Sequence, residues 1–422
     1  MKVKDFLKSG HPPTLFAAFL YFDTSFMIWV LMGVLGVFIS DDFGLTAAQK
    51  GFLAAVPILG GALVRIPLGL LVDHIGPKKT GLLGQVIVLI PLLGVWLFGS
   101  DLNAVFAFGL LLGIAGGSFA VALPLASRWY PAQYQGMALG IAGAGNSGTV
   151  LAALFAPSLA EIMGWRNVFG IALVPVLLTL AAFYFLAKES PAQPKPKKFS
   201  DYFSVFKEAD TFWFCFFYGI TFGGFVGLAS FLGIFFHDQY GLSKVMAGNI
   251  TALCVCAGSF FRPVGGYLAD RFGGVKMLSL LFGAVALFVS GVATLPSFIL
   301  AVTFIFLAMA GLGMGNGAVF QLVPLRFKNE IGVMTGVVGA AGGLGGFFLP
   351  TILGFFKQTA GSYGFGFLAF AFFSFAALVT LQIVQKGWSF SQRQPEFQPD
   401  FSTAASLHPN LILQPEAAAN RE

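Results

Sequence analysis

The sequence predicts an all-α membrane protein of twelve transmembrane helices arranged as two pseudo-symmetric six-helix halves. Its 422 residues are 57% hydrophobic and 10% charged, with a mean hydropathy of +0.84. That balance lies far outside what a water-soluble surface carries. A motif built around an arginine also recurs 197 residues further along the chain. Composition therefore gives the membrane class, and the recurrence gives the two halves.

Apolar stretches of about twenty residues are long enough to cross a hydrocarbon core of roughly 30 Å. Charges, glycine and proline divide the chain into twelve of them: 14–40, 50–72, 80–99, 103–127, 133–160, 165–187, 211–236, 244–269, 276–295, 299–322, 331–357 and 361–385. The first stretch is too long for a cleavable signal peptide and lacks a clear cleavage site. We therefore expect it to remain as the first span.

The positions of the basic residues predict the orientation. Of 24 lysines and arginines, four fall in loops on one side, namely Lys50, Arg166, Lys244 and Lys357, and two lie within spans. The remaining 18 lie on the side of both termini. By the positive-inside rule both termini are cytoplasmic, in a multi-pass protein of the cytoplasmic membrane.

The chain divides into four parts. Residues 1–187 form the N-terminal six-helix half, and 188–210 form a polar, proline-rich and basic cytoplasmic linker. Residues 211–386 form the C-terminal half. The tail 387–422 is rich in Gln, Pro and Ala without periodicity, so we expect a disordered cytoplasmic segment.

Two motifs recur between the halves. Arg65, Gly69, Asp73 and Gly76 have the same spacing as Arg262, Gly266, Asp270 and Gly273. The stretch "GMALGIAGAG" also matches "GVMTGVVGAA" at an offset of 196 residues. Parallel repeats of this kind place a substrate site near the bilayer midplane between the halves. Eight helical residues advance about 12 Å. Each arginine lies eight residues from the aspartate of its motif, and we place that aspartate at the membrane surface. Both arginines are therefore expected close to the bilayer centre.

The two arginines need a partner. An ionised arginine within an apolar helix costs roughly 2.5 to 3.5 kcal/mol even on lenient insertion scales. Asp23 is the single acid well inside an apolar stretch, and one acid cannot neutralise both Arg65 and Arg262. An external anion supplies the missing charge, since the guanidinium fork fits a planar oxyanion. A purely structural network is the alternative.

Other candidate residues carry weaker signals. Phe26, Phe119, Tyr218 and Phe222 are candidates for the cavity wall, although plain packing explains aromatic residues equally well in a chain with 51 phenylalanines. Asn146 places an amide among glycines that otherwise let helices approach closely. It can hydrogen-bond either a ligand or a neighbouring helix, and the sequence leaves both open.

Charged residues at the cytoplasmic ends of two spans are candidates for an inner gate. Asp73 is expected to pair with Lys78 and Lys79, and Asp270 with Arg271. Contacts of this kind can break and reform, as alternating access requires.

Several other classes of protein fit poorly. Cys215, Cys254 and Cys256 lie inside apolar stretches without metal or disulfide spacing, and the histidines are scattered, so we expect no enzyme, metal or cofactor. Basic residues form no dense block, which argues against nucleic acid. In a channel we would expect pore-lining repeats, in a sensor a signalling domain, and in an exporter of cations acidic residues deep within the spans.

The motifs resemble those of a known family. "GLLVDHIGPKK" and "GGYLADRFGG" are similar to the inner-loop motif of the major facilitator superfamily. "GGSFAVALPLASRWYP", "GIAGAGNSG", "FYGITFGGFVG" and "GAAGGLGGFFLP" resemble the nitrate/nitrite porters within it, over about residues 12–385. The resemblance implies the major facilitator fold and transport of nitrate and nitrite by alternating access. We expect a monomer in the lipid bilayer.

The resemblance also implies roles for residues. Arg65 and Arg262 match the two arginines that clamp the substrate. Asn146, Tyr218 and Phe222 fall where the family contacts or encloses the anion, and Phe26 and Phe119 match its aromatic walls.

Coupling has two open alternatives. Nitrate/nitrite exchange needs no titrating group, whereas proton symport needs one or a proton-carrying water path. Asp23 is the buried acid available for symport, and a hydrogen bond to a neighbouring helix is its structural alternative. We favour proton-coupled nitrate uptake over the antiporter, and a carrier of small organic anions is the remaining alternative.

Overall fold

The computed structural model describes residues 3–190, 200, 204–327 and 331–388. Within these residues the chain is helical and contains no strand. The predicted tail, apart from its first two residues, and most of the predicted linker lie outside the described residues.

The helices of the N-terminal half follow the predicted spans, with several interruptions. They are α1 (Val3–Ser9), α2 (Pro12–Trp29), α3 (Leu31–Val34), α4 (Gly36–Phe43), α5 (Ala47–Ile75), α6 (Pro77–Phe98), α7 (Leu102–Gly116), α8 (Phe119–Ser127), α9 (Ala132–Gly143), α10 (Gly148–Met163) and α11 (Trp165–Leu186). A 3-10 turn, Ala144–Ser147, joins α9 to α10.

The spans of the C-terminal half are unbroken helices. They are α12 (Ala209–Tyr240), α13 (Lys244–Phe272), α14 (Gly274–Ala293), α15 (Phe298–Arg326), α16 (Ile331–Ala360) and α17 (Gly364–Val384). Short 3-10 turns precede α12 and follow α17.

Eleven helical segments of the described chain are long and apolar enough to cross a membrane. The remaining predicted span, 14–40, is divided among α2, α3 and α4 by breaks at Val30 and Leu35. Val30 has no glycine or proline beside it, whereas Leu35 is directly followed by Gly36. The predicted all-α fold of two six-helix halves is confirmed.

The helices that carry the two arginines, α5 and α13, have matching ends. Thr46 and Ser243 cap their first turns with side-chain oxygens that accept hydrogen bonds from backbone N–H groups. Gly76 and Gly273 end them with φ values of 91° and 94°, which favour glycine. Each helix has 29 residues, and all four end positions correspond at the offset of 197 residues.

Both helices lie at the interface between the halves, where α5 packs on α16 and α13 packs on α10. The approach of α5 to α16 is close, since a Cβ on Gly51 would lie 3.1 Å from the Cα of Gly354. On the other side, a Cβ on Gly248 of α13 would lie 2.6 Å from the ring of Pro157. Small residues at these contacts bring the arginine helices together around the centre of the bundle.

The two ends of the bundle differ. We call the end at which α2 and α12 begin the proximal end, and the end at which α4 meets α5 the distal end. Ion pairs join the two halves at the distal end: Lys50 Nζ lies 2.9 Å from a carboxylate oxygen of Asp238, and Lys244 Nζ lies 2.5 Å from Asp41. Each pair links the start of an arginine helix to the other half.

Candidate functional site

Arg65 is held inside the bundle by backbone carbonyls. Its side chain is 1% exposed, and Nε donates a hydrogen bond of 3.2 Å to the carbonyl of Gly116, where α7 ends. Nη1 donates to the carbonyl of Gly339 on α16, in the other half. Nη2 is buried and has no hydrogen-bond partner among the described residues. Arg65 therefore spans the interface and keeps one free donor.

Arg262 lies on the facing helix and is held less firmly. Its side chain is half-buried, and its Nη1 is buried without a hydrogen-bond partner within the described chain. The two guanidinium groups are close enough to repel each other electrostatically. Among the described residues, neither arginine forms an ion pair with a carboxylate. The positive charge of the pair is therefore left uncompensated by a direct partner.

The Phe119 ring lies beside both guanidinium groups. Its centroid is 5.8 Å from Cζ of Arg65 and 5.6 Å from Cζ of Arg262. At such distances a ring face attracts a cation, more strongly where water is excluded. Phe119 is 2% exposed. The structure thus brings together the two arginines and one aromatic wall that the sequence singled out.

The remaining predicted aromatic residues surround Arg65. The Phe222 ring lies 4.7 Å from Cζ of Arg65 and stacks on Tyr218, with 5.1 Å between centroids. Phe26 lies 6.3 Å from Phe222, and all three rings are fully buried. Tyr218 also lies near both guanidinium groups. Arg65 is therefore enclosed by buried rings, whereas Arg262 keeps partial exposure.

Asn146 lies in the 3-10 turn that interrupts the fifth span. Its side chain is fully buried, and neither of its amide atoms has a partner in the described chain. Its backbone carbonyl accepts hydrogen bonds from Thr149 at 2.7 Å and from Ser259 of α13 at 3.3 Å. The backbone is therefore fixed between the halves while the amide is left for another partner. A 3-10 turn inside a helix often marks a functional position.

Asp23 contacts the same turn. Its carboxylate accepts a hydrogen bond of 2.6 Å from the hydroxyl of Ser147, the residue after Asn146. Gly148 approaches the Asp23 backbone so closely that a side chain there would overlap it. Asp23 is 8% exposed and forms no ion pair among the described residues. Asp23 is therefore hydrogen-bonded to the residue that directly follows Asn146, whose amide is the candidate ligand-binding group.

The five predicted gate residues make contacts within their own halves. Asp73 pairs with Arg128 at 2.9 Å, Lys78 Nζ donates to the Tyr184 carbonyl, and the backbone N–H of Lys79 donates to Glu189. Asp270 hydrogen-bonds Gln321, and Arg271 lies over the ring of Phe272. The role of these residues as an inner gate stays a prediction, and the ion pairs that join the halves lie at the distal end.

Three further residues of the site were not singled out from the sequence. Trp29 lies 5.4 Å from Cζ of Arg65 and stacks on Phe222, and Phe320 packs on both Tyr218 and Phe119. Asn316 of α15 is fully buried with both amide atoms unpartnered in the described chain. Its signal was available, because Asn316 lies between two glycines, and Asn146 likewise follows a glycine. Phe320 had no signal among so many phenylalanines.

The chain matches known transporters over most of its length. The sequence pattern of the Major Facilitator Superfamily matches residues 17–350. The "Nitrite extrusion protein" of Bacillus subtilis (strain 168) is 32% identical over 356 residues, which cover 84% of this chain and 89% of that protein. The "Probable nitrate/nitrite antiporter NarK1" of Thermus thermophilus is 32% identical over 81% of this chain and 84% of that protein.

The fold also matches a solved transporter. The crystal structure of a D-xylose-proton symporter superposes with a TM-score of 0.72 at 16% identity, covering 90% of this chain and 98% of that one. Identity this low shows the fold alone. With the family pattern and the curated relatives, it identifies the chain as a multi-pass membrane transporter and not an enzyme. The chain belongs to the major facilitator superfamily and, within it, to the family of nitrate/nitrite transporters.

Proposed function

We propose that the protein carries nitrate and nitrite across the cytoplasmic membrane by alternating access, with the anion held between Arg65 and Arg262. The observation that carries this proposal is the pair of buried guanidinium donors, Nη2 of Arg65 and Nη1 of Arg262, that lack partners on either side of Phe119. Buried donors without partners cost about 1 to 3 kcal/mol each, so they favour a ligand that accepts from both. The names of the relatives indicate the same anions.

Nitrate fits the chemistry of this site. It is planar, carries one negative charge and is weakly hydrated, so it loses relatively little on leaving water. A guanidinium fork can donate two parallel hydrogen bonds to its oxygens, and the Phe119 and Phe222 rings offer flat apolar walls. Sulfate and phosphate would lose far more hydration. Nitrite differs by one oxygen, so the arginine pair accepts it as well.

Alternating access requires one end of the bundle to face the cytoplasm and the other to face the outside. The proximal end faces the cytoplasm in our proposal, because the basic residues concentrate there. The described conformation then has its outer end closed by the Lys50–Asp238 and Asp41–Lys244 pairs, and the buried rings of Phe26 and Phe222 keep water from Arg65. Release of the anion proceeds toward the cytoplasm past Arg262, the more exposed of the two arginines.

Proton coupling is the mode we favour, with Asp23 as the coupling residue. An ionised Asp23 accepts the hydrogen bond from Ser147, and a protonated one becomes a donor itself. Ser147 directly follows Asn146, so a change in the Asp23–Ser147 hydrogen bond can alter how the Asn146 amide binds the anion. Nitrate/nitrite exchange is the second candidate, because the Thermus relative is named an antiporter and the Bacillus relative an extrusion protein.

Transport by purified protein in liposomes tests both modes. Nitrate uptake is measured with an imposed pH gradient or with internal nitrite, in each case with valinomycin and equal potassium on both sides. Uptake that follows the pH gradient and acidifies the lumen supports symport. Uptake that appears with internal nitrite alone supports exchange, and the absence of nitrate and nitrite transport in both assays removes the proposed function.

A further inference from the structure

Asn316, in the middle of α15, is a buried amide that the fold leaves without a partner. Its side chain is fully buried, and neither Oδ1 nor Nδ2 finds a hydrogen bond within the described chain. Nearly all buried polar side-chain atoms have a partner, because leaving one unpaired is costly. An amide with both atoms unpaired therefore indicates a partner outside the polypeptide.

The glycines beside Asn316 fix its direction. A Cβ on Gly315 would lie 2.6 Å from a methyl carbon of Thr221 on α12, and one on Gly317 would lie 2.5 Å from the carbonyl oxygen of Arg262 on α13. Successive helical residues point about 100° apart. Asn316 therefore points between these two contacts, into the angle between α12 and α13 at the depth of Arg262.

Phe320 shows that this face of α15 lines the anion site. Its ring lies 4.9 Å from that of Tyr218 and 5.5 Å from that of Phe119. Residues four apart share a helix face, so Asn316 lies on the Phe320 face about 6 Å nearer the distal end. On the neighbouring α12, Phe222 lies one turn distal of Tyr218, at a matching depth.

We propose that Asn316 binds the transported anion from the C-terminal half and favours nitrate over nitrite, an inference that rests on the proposed function. Nitrate and nitrite only accept hydrogen bonds, so Nδ2 donates to the anion. The third oxygen of nitrate, which nitrite lacks, is the atom that Nδ2 meets.

Calorimetric titration of purified protein with sodium nitrate and with sodium nitrite tests the assignment. Asn316→Leu keeps the volume but removes the donor, and we expect nitrate affinity to fall about tenfold to a hundredfold, as for a hydrogen bond to a charged group. Nitrite affinity should fall by less than about threefold. Asn316→Asp places a carboxylate beside the arginines, and it should weaken both anions.

Gln85→Met is the matched control, since Gln85 is another buried amide with an unpartnered oxygen, located in a small cavity beside Tyr21. It should bind both anions like the unmodified protein. Unchanged nitrate affinity in both Asn316 variants, or equal losses for nitrate and nitrite in Asn316→Leu, would overturn the inference. Failure of the unmodified protein to bind either anion would instead overturn the proposed function. Thermal unfolding of each variant shows whether it is folded.

Discussion

Arg65 and Arg262 occupy equivalent positions on helices of equal length, yet their surroundings differ. Arg65 is 1% exposed, donates to two backbone carbonyls and lies close to three aromatic rings. Arg262 is half-buried and, among the described residues, makes a cation–π contact with the Phe119 ring alone. Repetition of a motif thus reproduces the depth of a charge without reproducing its contacts.

The difference follows from the helices around each arginine. In the N-terminal half, α7 ends at Gly116 and the fifth span is interrupted at Ala144–Ser147, whereas α15 and α16 run unbroken. The end of α7 offers a carbonyl to Arg65, and the 3-10 turn carries Asn146. The N-terminal half therefore provides the fixed side of the site, and Arg262 provides the side that can rearrange.

Arg65→Lys should have the largest effect. A lysine cannot donate to both carbonyls and to the anion in the fork geometry, so we expect transport to fall by about a hundredfold or more. Loss of the bonds to Gly116 and Gly339 should also lower the apparent melting temperature by several degrees. Nitrate uptake in liposomes and thermal unfolding in detergent measure the two effects. Uptake at the rate of the unmodified protein would show that Arg65 does not hold the anion.

Arg262→Lys should abolish transport as fully, without the loss of stability. Arg262 has fewer described contacts to lose, so the unfolding free energy should change by about 0.5 kcal/mol or less. The same two assays apply, at matched protein levels in the membrane. An equal fall in melting temperature for both lysine variants would show that the two arginines are held alike, contrary to the comparison.

Asp23→Asn should separate the two modes of transport. We expect proton-driven nitrate accumulation to fall by about tenfold, because the amide cannot titrate between pH 4 and 9. Exchange of nitrate for nitrite should continue. Accumulation under a pH gradient and exchange against internal nitrite are measured in the same liposomes. Ser147→Ala is the matched control, since it removes the hydroxyl partner and leaves the carboxyl group. Unchanged accumulation in Asp23→Asn would leave Asp23 a structural role.

Lys50→Ala should have the smallest effect. The Lys50–Asp238 pair is partly exposed, and such pairs contribute about 0 to 1 kcal/mol, so closure of the distal end should weaken by about fivefold at most. Uptake rates of Lys50→Ala and of the unmodified protein are compared at low and at high salt. Their difference should be smaller at high salt, because salt screens the ion pair in the unmodified protein. Lys244→Ala removes the more exposed pair and should change uptake less. A loss comparable to that in Arg65→Lys would make the ion pair essential.

Local patterns predicted the spans, the repeat and the arginines, because hydropathy, charge and residue spacing are properties of neighbouring residues. The ends of α5 at Ala47 and Ile75 lie within three residues of the prediction. Contacts over long separations could not be predicted. Arg65 bonds Gly339, 274 residues away, and Asp73 pairs with Arg128 rather than with a nearby lysine in the described structure. The interruption at Val30 has no glycine or proline beside it, so no local residue reveals it.

The use of neutral carbonyls to hold Arg65 has an electrical consequence. Carbonyls do not cancel its charge, so two arginines, one ionised Asp23 and one bound monovalent anion sum to zero in our proposed site. Protonation of Asp23 leaves the loaded site with one positive charge. Each charge that crosses the full membrane field gains about 2.3 kcal/mol per 100 mV. An inside-negative voltage would then favour the inward-facing conformation when the site is protonated and loaded with nitrate, and would not bias the loaded, deprotonated site.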